Sequence, residues 1–161
     1  MSEPPWVQVA LLHPEIPPNT GNVGRLCALT RSRLHLIHPL GFTITDRHLR
    51  RSGMDYWRKL DLREHESWGA FRAATGTVRT WLFTTHADRG LWETTFAPGD
   101  LLLFGNEGSG CPAEVHAAIG SAHSVRIPQF GEGLRSLNLA TSVGIAVYEA
   151  LRQIVGPGRE S

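Results

Sequence analysis

The feature that most constrains the fold is a long apolar segment near the C-terminus, which we predict to be a helix over about 136–154. One apolar stripe along this helix is formed by Leu137, Ala140, Gly144, Val147 and Leu151. Further apolar residues cover most of its remaining surface, and a helix that is apolar on all sides has to be covered on all sides. We therefore expect the sheet to cover one side and a second subunit to cover the other, which predicts a homodimer.

Upstream of this helix, strand-like segments alternate with helical ones. We predict strands at about 7–12, 34–37, 60–63, 78–84, 101–104 and 124–127. We predict helices at about 20–30, 46–51, 67–74 and 112–119, the first capped by Asn19 and the third by Ser67. This alternation predicts an α/β fold with a mostly parallel sheet flanked by helices. The length of 161 residues suits a single domain over 1–161, with a core at about 6–154.

Composition indicates a globular chain without an obvious electrostatic partner. Hydrophobic residues make up 41% and charged residues 19%, and the net charge is +1. Of the 16 basic residues only Lys59 is a lysine. Arginine suits phosphate recognition better than lysine does, although compositional bias explains the same count.

Cysteine and histidine usage indicates a reduced chain without a metal. Cys27 and Cys111 lie far apart, without a C-x-x-C motif or a signal peptide, so we expect a cytoplasmic protein. His35 and His38 are the closest histidine pair, and their odd spacing places them on opposite faces of a strand. No apolar run is long enough to span a bilayer, so no membrane partner is expected.

Polar or glycine-bearing loops follow three of the predicted strands, at 19–25, 105–110 and 128–138. Open α/β sheets bind ligands at the carboxyl ends of their strands. The second loop has three glycines, which allow close backbone approach to a ligand, and Glu107, which suits acid–base work or capping of the next helix. The third ends in Ser136 and Asn138 at the mouth of the last helix. Each loop alone is also explained by a turn or a cap, whereas their coincidence favours a binding site.

These loops, with the runs Pro14–Asn22 and Leu49–Tyr56, resemble in order and spacing the three motifs of the SPOUT superfamily of S-adenosylmethionine-dependent RNA methyltransferases. The resemblance covers about 7–153 and is strongest to the compact tRNA 2′-O-methyltransferases that modify cytidine or uridine 34. The resemblance implies a trefoil knot at the C-terminal end of the fold and S-adenosylmethionine as the cofactor, without a metal. It implies tRNA as the partner, with leucine isoacceptors as the expected substrates. The alternatives are a ribosomal-RNA 2′-O-methyltransferase of the same fold and a non-catalytic RNA- or nucleotide-binding module.

The resemblance also assigns site residues by position. It implies a catalytic group formed by Arg25, Asn19, Glu107, Ser136 and Asn138. It implies cofactor contacts at Phe83, Gly105, Ile127 and Ser136. The chain departs from some relatives in a slightly longer loop after Ile127 and in Asn106-Glu107-Gly108-Ser109 where they have Pro-Glu-Thr-Arg.

A basic and aromatic segment is the predicted RNA contact. Its candidate residues are Arg47, Arg50, Arg51 and Tyr56. Basic groups bind phosphates and aromatic rings stack on unpaired bases, although a solvated helix face explains the same pattern. Arg25 is the base proposed in this family, but a guanidinium resists deprotonation, so we favour an electrostatic role. The base is then a phosphate, water or a perturbed Arg25.

Overall fold

Apolar segments of the sequence form the strands of one sheet in the computed structural model, which describes residues 3–44 and 56–158. The strands in these residues are β1 Val7–Leu12, β2 Arg33–Ile37, β3 Asp61–His65, β4 Thr80–Phe83, β5 Asp100–Phe104 and β6 Ser124–Val125. They pair in the order β3-β2-β1-β5-β4-β6, and every pairing is parallel. The predicted parallel sheet is confirmed.

The centre of the sheet is its most apolar part. β1 and β5 are buried along their whole length and pair in register from Val7 with Asp100 to Leu11 with Phe104. Helices cover both faces of these strands, so their near-continuous apolar runs have no polar alternation. β3 lies at one edge and carries charged residues on half-exposed and exposed positions, which discourage pairing with another strand.

Helices cover the sheet on both faces within the described residues. They are α1 Pro17–Leu29, α2 Trp68–Thr75, α3 Ala113–Ile119 and α4 Leu139–Val155, with short 3₁₀ helices at Leu91–Glu93 and Ser121–His123. α1 and α4 pack together, and Val23 and Val147 join the core on their face. Phe71 of α2 and Val115 of α3 belong to the second core on the opposite face.

Several predicted boundaries were wrong by a few residues. α1 begins at Pro17 rather than Thr20, because proline suits the first helical positions, and Asn19 therefore lies inside the first turn instead of capping it. α4 begins at Leu139 because Asn138 caps it, accepting a hydrogen bond from Thr141 N at 3.2 Å. β6 is shorter than predicted, whereas Ser67 caps α2 as predicted. The predicted helix at 46–51 lies outside the described residues.

The strand order places a ligand crevice between β1 and β5. The chain leaves β1 toward β2 on one side, whereas after β5 it continues to β6 beyond β4 on the other side. Neighbouring strands whose connections diverge in this way open a crevice at their carboxyl ends. The predicted loop 105–110 follows β5, whereas the prediction of a loop at 19–25 was wrong, because these residues lie inside α1, which follows β1. The trefoil knot is a matter of chain threading and stays a prediction.

Candidate functional site

A cavity of about 750 Å³ opens at the carboxyl ends of the central strands. All positions predicted for the cofactor line it, namely Phe83, Gly105, Ile127 and Ser136. Three of the predicted polar residues line it as well, namely Asn19, Glu107 and Asn138. The structure therefore brings Asn19 of α1 and the 105–110 and 128–138 loops together around one space, as the coincidence of the three segments indicated.

The lining combines apolar and polar side chains. The apolar side chains include Leu82, Phe83, Phe104, Ile127 and Leu139. The polar side chains include Thr84, His86, Gln129, Arg135 and Ser142. This volume is typical of a small-molecule site. The mixture suits a ligand with a flat aromatic part and a polar tail, and purine and amino-acid parts of S-adenosylmethionine fit that description.

Glu107 holds the beginning of α1. Its carboxylate accepts hydrogen bonds from Glu15 N at 2.9 Å and Ile16 N at 2.8 Å. The free N–H groups and the dipole of a helix N-terminus favour a negative charge there. Glu107 thus caps α1, which precedes it by about ninety residues. It does not cap the next helix, α3, which begins after Pro112 without a side-chain cap, so that alternative was wrong. With both oxygens engaged, its observed role is to fix the β5 loop against α1.

A chain of side-chain hydrogen bonds links α1 to the other two predicted segments. Asn138 Nδ2 donates to Asn19 Oδ1 at 3.0 Å, and Asn19 Nδ2 donates to Glu107 Oε2 at 3.4 Å. Asn19 is buried in the first turn of α1, where burial requires that its amide be satisfied. The beginnings of α1 and α4 are therefore tied to each other and to the glycine loop.

The glycine loop itself is tightly folded. A Cβ on Gly105 would lie 2.5 Å from Gly110 C and 2.7 Å from Cys111 N, so only glycine fits this position. Asn106 organises the turn that follows, and sequence reasoning assigned it no role. Asn is common in turns and glycines lie on both sides of it, which was its only signal in the sequence.

Arg25 lies apart from this group. It is not among the residues that line the cavity, and its guanidinium carbon lies 5.1 Å from the centre of the Tyr56 ring. Arg25 follows Asn19 by six residues on α1, which places it about 9 Å along the helix and about 120° around it.

The predicted RNA segment is described only in part. Arg47, Arg50 and Arg51 lie outside the described residues. Tyr56 is placed under Arg25, where a cation–π contact holds both side chains. Trp57 packs against Gly24, where an added Cβ would lie 2.5 Å from its ring. The aromatic pair is thus anchored to the first motif.

Metal, membrane and thiol features are limited in the part of the chain that the structure describes. In residues 3–44 and 56–158, no group of three or more His, Cys, Asp or Glu residues could hold a metal ion. None of the helices described is long and apolar enough to cross a membrane. Both cysteines are free thiols, and burial raises the pKa of Cys111 to about 12, so this thiol stays protonated at neutral pH.

A cavity at the switch point of a parallel sheet, lined by two polar loops and the first turn of α1, defines the class of α/β domains that bind small molecules at this edge. The chain belongs to the SpoU rRNA methylase family, whose model matches residues 7–148. A tRNA (cytidine(34)-2′-O)-methyltransferase of Burkholderia ambifaria is 47% identical over 147 residues, which cover 90% of this chain and 94% of that protein. The predicted resemblance is confirmed.

Solved structures agree with this assignment. A structure concerned with 2-OH methylation of C/U34 on tRNA is 45% identical, covers 91% of this chain and 95% of that one, and has a TM-score of 0.86. The SpoU methyltransferase AviRb of Streptomyces viridochromogenes, in complex with the cofactor AdoMet, is 26% identical with a TM-score of 0.79. That match covers 94% of this chain and 62% of AviRb. The predicted SPOUT fold class is confirmed.

Proposed function

We propose that this protein transfers a methyl group from S-adenosylmethionine to the 2′-hydroxyl of nucleotide 34, a cytidine or uridine, in tRNA. The observation that carries the proposal is the cavity in which Asn19 of α1 meets the 105–110 and 128–138 loops of a SpoU-family chain. Relatives that match nearly the whole chain carry this activity in their names, which favours tRNA over ribosomal RNA as the substrate.

The cavity residues would hold the cofactor through its chemically different parts. Phe83 and Ile127 offer apolar surface to a flat base, and the glycine loop offers backbone groups to its edge. Ser136 and Asn138 stand at the beginning of α4, where polar groups of the tail can be bound. S-adenosylmethionine supplies an already activated methyl group when bound, so we propose a reaction without a metal.

The remaining task of the protein is to place and polarise the ribose hydroxyl. A hydroxyl is a weak acid, and correct positioning supplies much of the rate gain. Arg25 would bind the adjacent phosphate and stabilise negative charge as it develops on the hydroxyl oxygen. The proton would pass to a phosphate oxygen or to water, since a guanidinium resists deprotonation. Asn19, Asn138 and Glu107 would keep the loops in register.

A homodimer is part of the proposal. Apolar side chains remain exposed on both helices of one face: Leu29 of α1 is 62% exposed, and Ile145 and Tyr148 of α4 are 39% and 59% exposed. Pairing of this face with a second copy would cover them. Arg25 does not line the cavity of its own chain, so a second subunit supplying it would complete the site. Leucine isoacceptors as substrates and a cytoplasmic location remain our expectations.

Two successive measurements test the proposed function. Calorimetric titration with S-adenosylmethionine, with and without a chelator, should show binding that the chelator does not change. Methyl transfer should then occur to unmodified tRNA and not to ribosomal RNA fragments. Absence of cofactor binding would favour a non-catalytic module, and transfer to ribosomal RNA alone would favour the rival substrate.

A further inference from the structure

Asn106 stands at the junction of the two central strands, immediately after Gly105 and before Glu107. Its side chain makes contacts in two directions. Toward its own loop, Oδ1 accepts hydrogen bonds from Gly108 N at 2.8 Å and from Ser109 N at 3.0 Å. Toward the segment after β1, Nδ2 donates to His13 O at 2.7 Å. The amide orientation is fixed, because one end faces N–H donors and the other faces a carbonyl oxygen.

The backbone of Asn106 closes the same loop. Its N–H donates to Gly110 O at 3.1 Å, and its carbonyl accepts from Gly110 N at 2.9 Å. The side-chain and backbone bonds together hold the 106–110 turn in one conformation. This turn is a wall of the cavity, so its shape decides what the cavity can bind.

Adjacent residues thus bind one short segment of chain. Asn106 holds His13, and Glu107 holds Glu15 and Ile16, which lead directly into α1. α1 carries Asn19 in the cavity wall and Arg25 farther along. The wall and the helix come from chain segments about ninety residues apart, and the pair at 106–107 sets their relative position.

We propose that Asn106 is a positioning residue for methyl transfer, with two separable tasks. Its Oδ1 shapes the cofactor wall, and its Nδ2 aligns that wall with α1 and therefore with the groups that act on the hydroxyl. The proposal rests on the proposed function. Asn106 itself lines the cavity, but both ends of its side-chain amide are engaged by the protein, so it acts through the loop and the helix that it joins.

Two substitutions separate the tasks. Asn106→Ala removes both, so cofactor affinity and the single-turnover rate should each fall by about tenfold or more, as expected from the loss of several hydrogen bonds. Asn106→Asp keeps the acceptor for Gly108 and Ser109 but sets a carboxylate oxygen against His13 O. Its cofactor affinity should stay within about threefold of the wild type, whereas its rate at saturating cofactor should fall by about tenfold. Glu114→Gln, at an exposed position of α3, is the matched control.

Backbone amide exchange gives a readout that does not depend on activity. Asn106→Asp should leave the amides of Gly108 and Ser109 protected and speed exchange at Glu15 and Ile16. If the wild type binds the cofactor but methylates no RNA, the proposed function fails. The exchange result still decides whether Asn106 aligns the loop with α1. The inference would be overturned if Asn106→Asp transferred methyl groups and exchanged its amides at the wild-type rates. It would also be overturned if Asn106→Ala and Asn106→Asp lost cofactor affinity to the same extent. Should Asn106→Ala fail to fold, Asn106→Asp alone decides.

Discussion

Arg25 acts, in the proposed function, on the substrate rather than on the cofactor. Its side chain is held over Tyr56 and does not line the cavity. We expect Arg25→Ala to leave cofactor affinity nearly intact and to lower the single-turnover rate by about a hundred- to a thousandfold, or about 2.7–4 kcal/mol of barrier. Arg25→Lys should restore little, because a point charge does not replace a planar guanidinium. Arg72→Ala, on the opposite face of the sheet, is the control and should transfer methyl groups at the wild-type rate. Near-normal transfer by Arg25→Ala would exclude the role assigned to Arg25.

His35 is a buried histidine kept neutral by its surroundings. Its Nε2 lies 2.8 Å from Gln8 Oε1, and its Nδ1 lies 2.9 Å from His65 Nε2. Gln8 Nε2 donates to Gly99 O, which turns the side-chain oxygen of Gln8 toward His35. His35 Nε2 therefore donates to Gln8 Oε1, and His35 Nδ1 accepts from His65 Nε2. Burial first, and then the neighbouring positive groups, lower the pKa of His35 from 6.5 to about 3.

This pKa shift predicts acid sensitivity of the fold. Between pH 6.5 and 3 the unfolded chain binds a proton that folded His35 does not. The stabilisation is therefore complete above pH 6.5 and is lost as the pH falls, by about 1.4 kcal/mol per pH unit. Urea unfolding is measured at pH 7.5, about one unit above the ordinary histidine pKa, and at pH 5.5 and 4.5, about one and two units below it. The free energy of unfolding should decline more steeply for the wild type than for His35→Gln. Parallel declines would contradict this account.

At the scale of elements, the sequence predicts well where local signals decide. β1 has its predicted bounds because a continuous apolar run ends at a proline-bearing loop. The start of α1 was missed because its cap is Glu107, a residue about ninety positions away that no local pattern indicates. Likewise, the cofactor positions followed from the family resemblance, whereas Asn106 was missed because its contact with His13 exists only in the folded sheet.

The glycine loop offers a matched pair of substitutions. Gly105→Ala forces a Cβ to within 2.5 Å of Gly110 C and should abolish measurable cofactor binding or reduce it by about a hundredfold. Gly108→Ala meets nothing closer than Asn106 Oδ1 at 3.5 Å, an ordinary contact, and should be tolerated. Calorimetric titration of both variants, with thermal unfolding alongside, checks this difference. Equal affinities would show that the close packing of the loop does not shape the cavity.

For the whole molecule, the exposed face of α1 and α4 predicts the oligomeric state. Tyr148→Glu with Ile145→Glu should raise the dimer dissociation constant by about thirtyfold or more, because charges replace buried apolar contacts. Trp92→Glu is the control, since Trp92 is 70% exposed but lies in the 3₁₀ helix before β5. Sedimentation at micromolar concentration measures the difference. A wild-type monomer, or a double variant that dimerises normally, would rule out this interface.

The most direct test of the central claim is to map the methylated nucleotide. Unmodified tRNA with cytidine or uridine 34 is incubated with the protein and labelled S-adenosylmethionine, digested, and analysed by mass spectrometry. A matched tRNA with 2′-deoxyribose at nucleotide 34 lacks the reacting hydroxyl and serves as the control. The account predicts one 2′-O-methyl group at nucleotide 34 and none on the deoxy control. Methylation at another position, on a base, or equally on the control would contradict it.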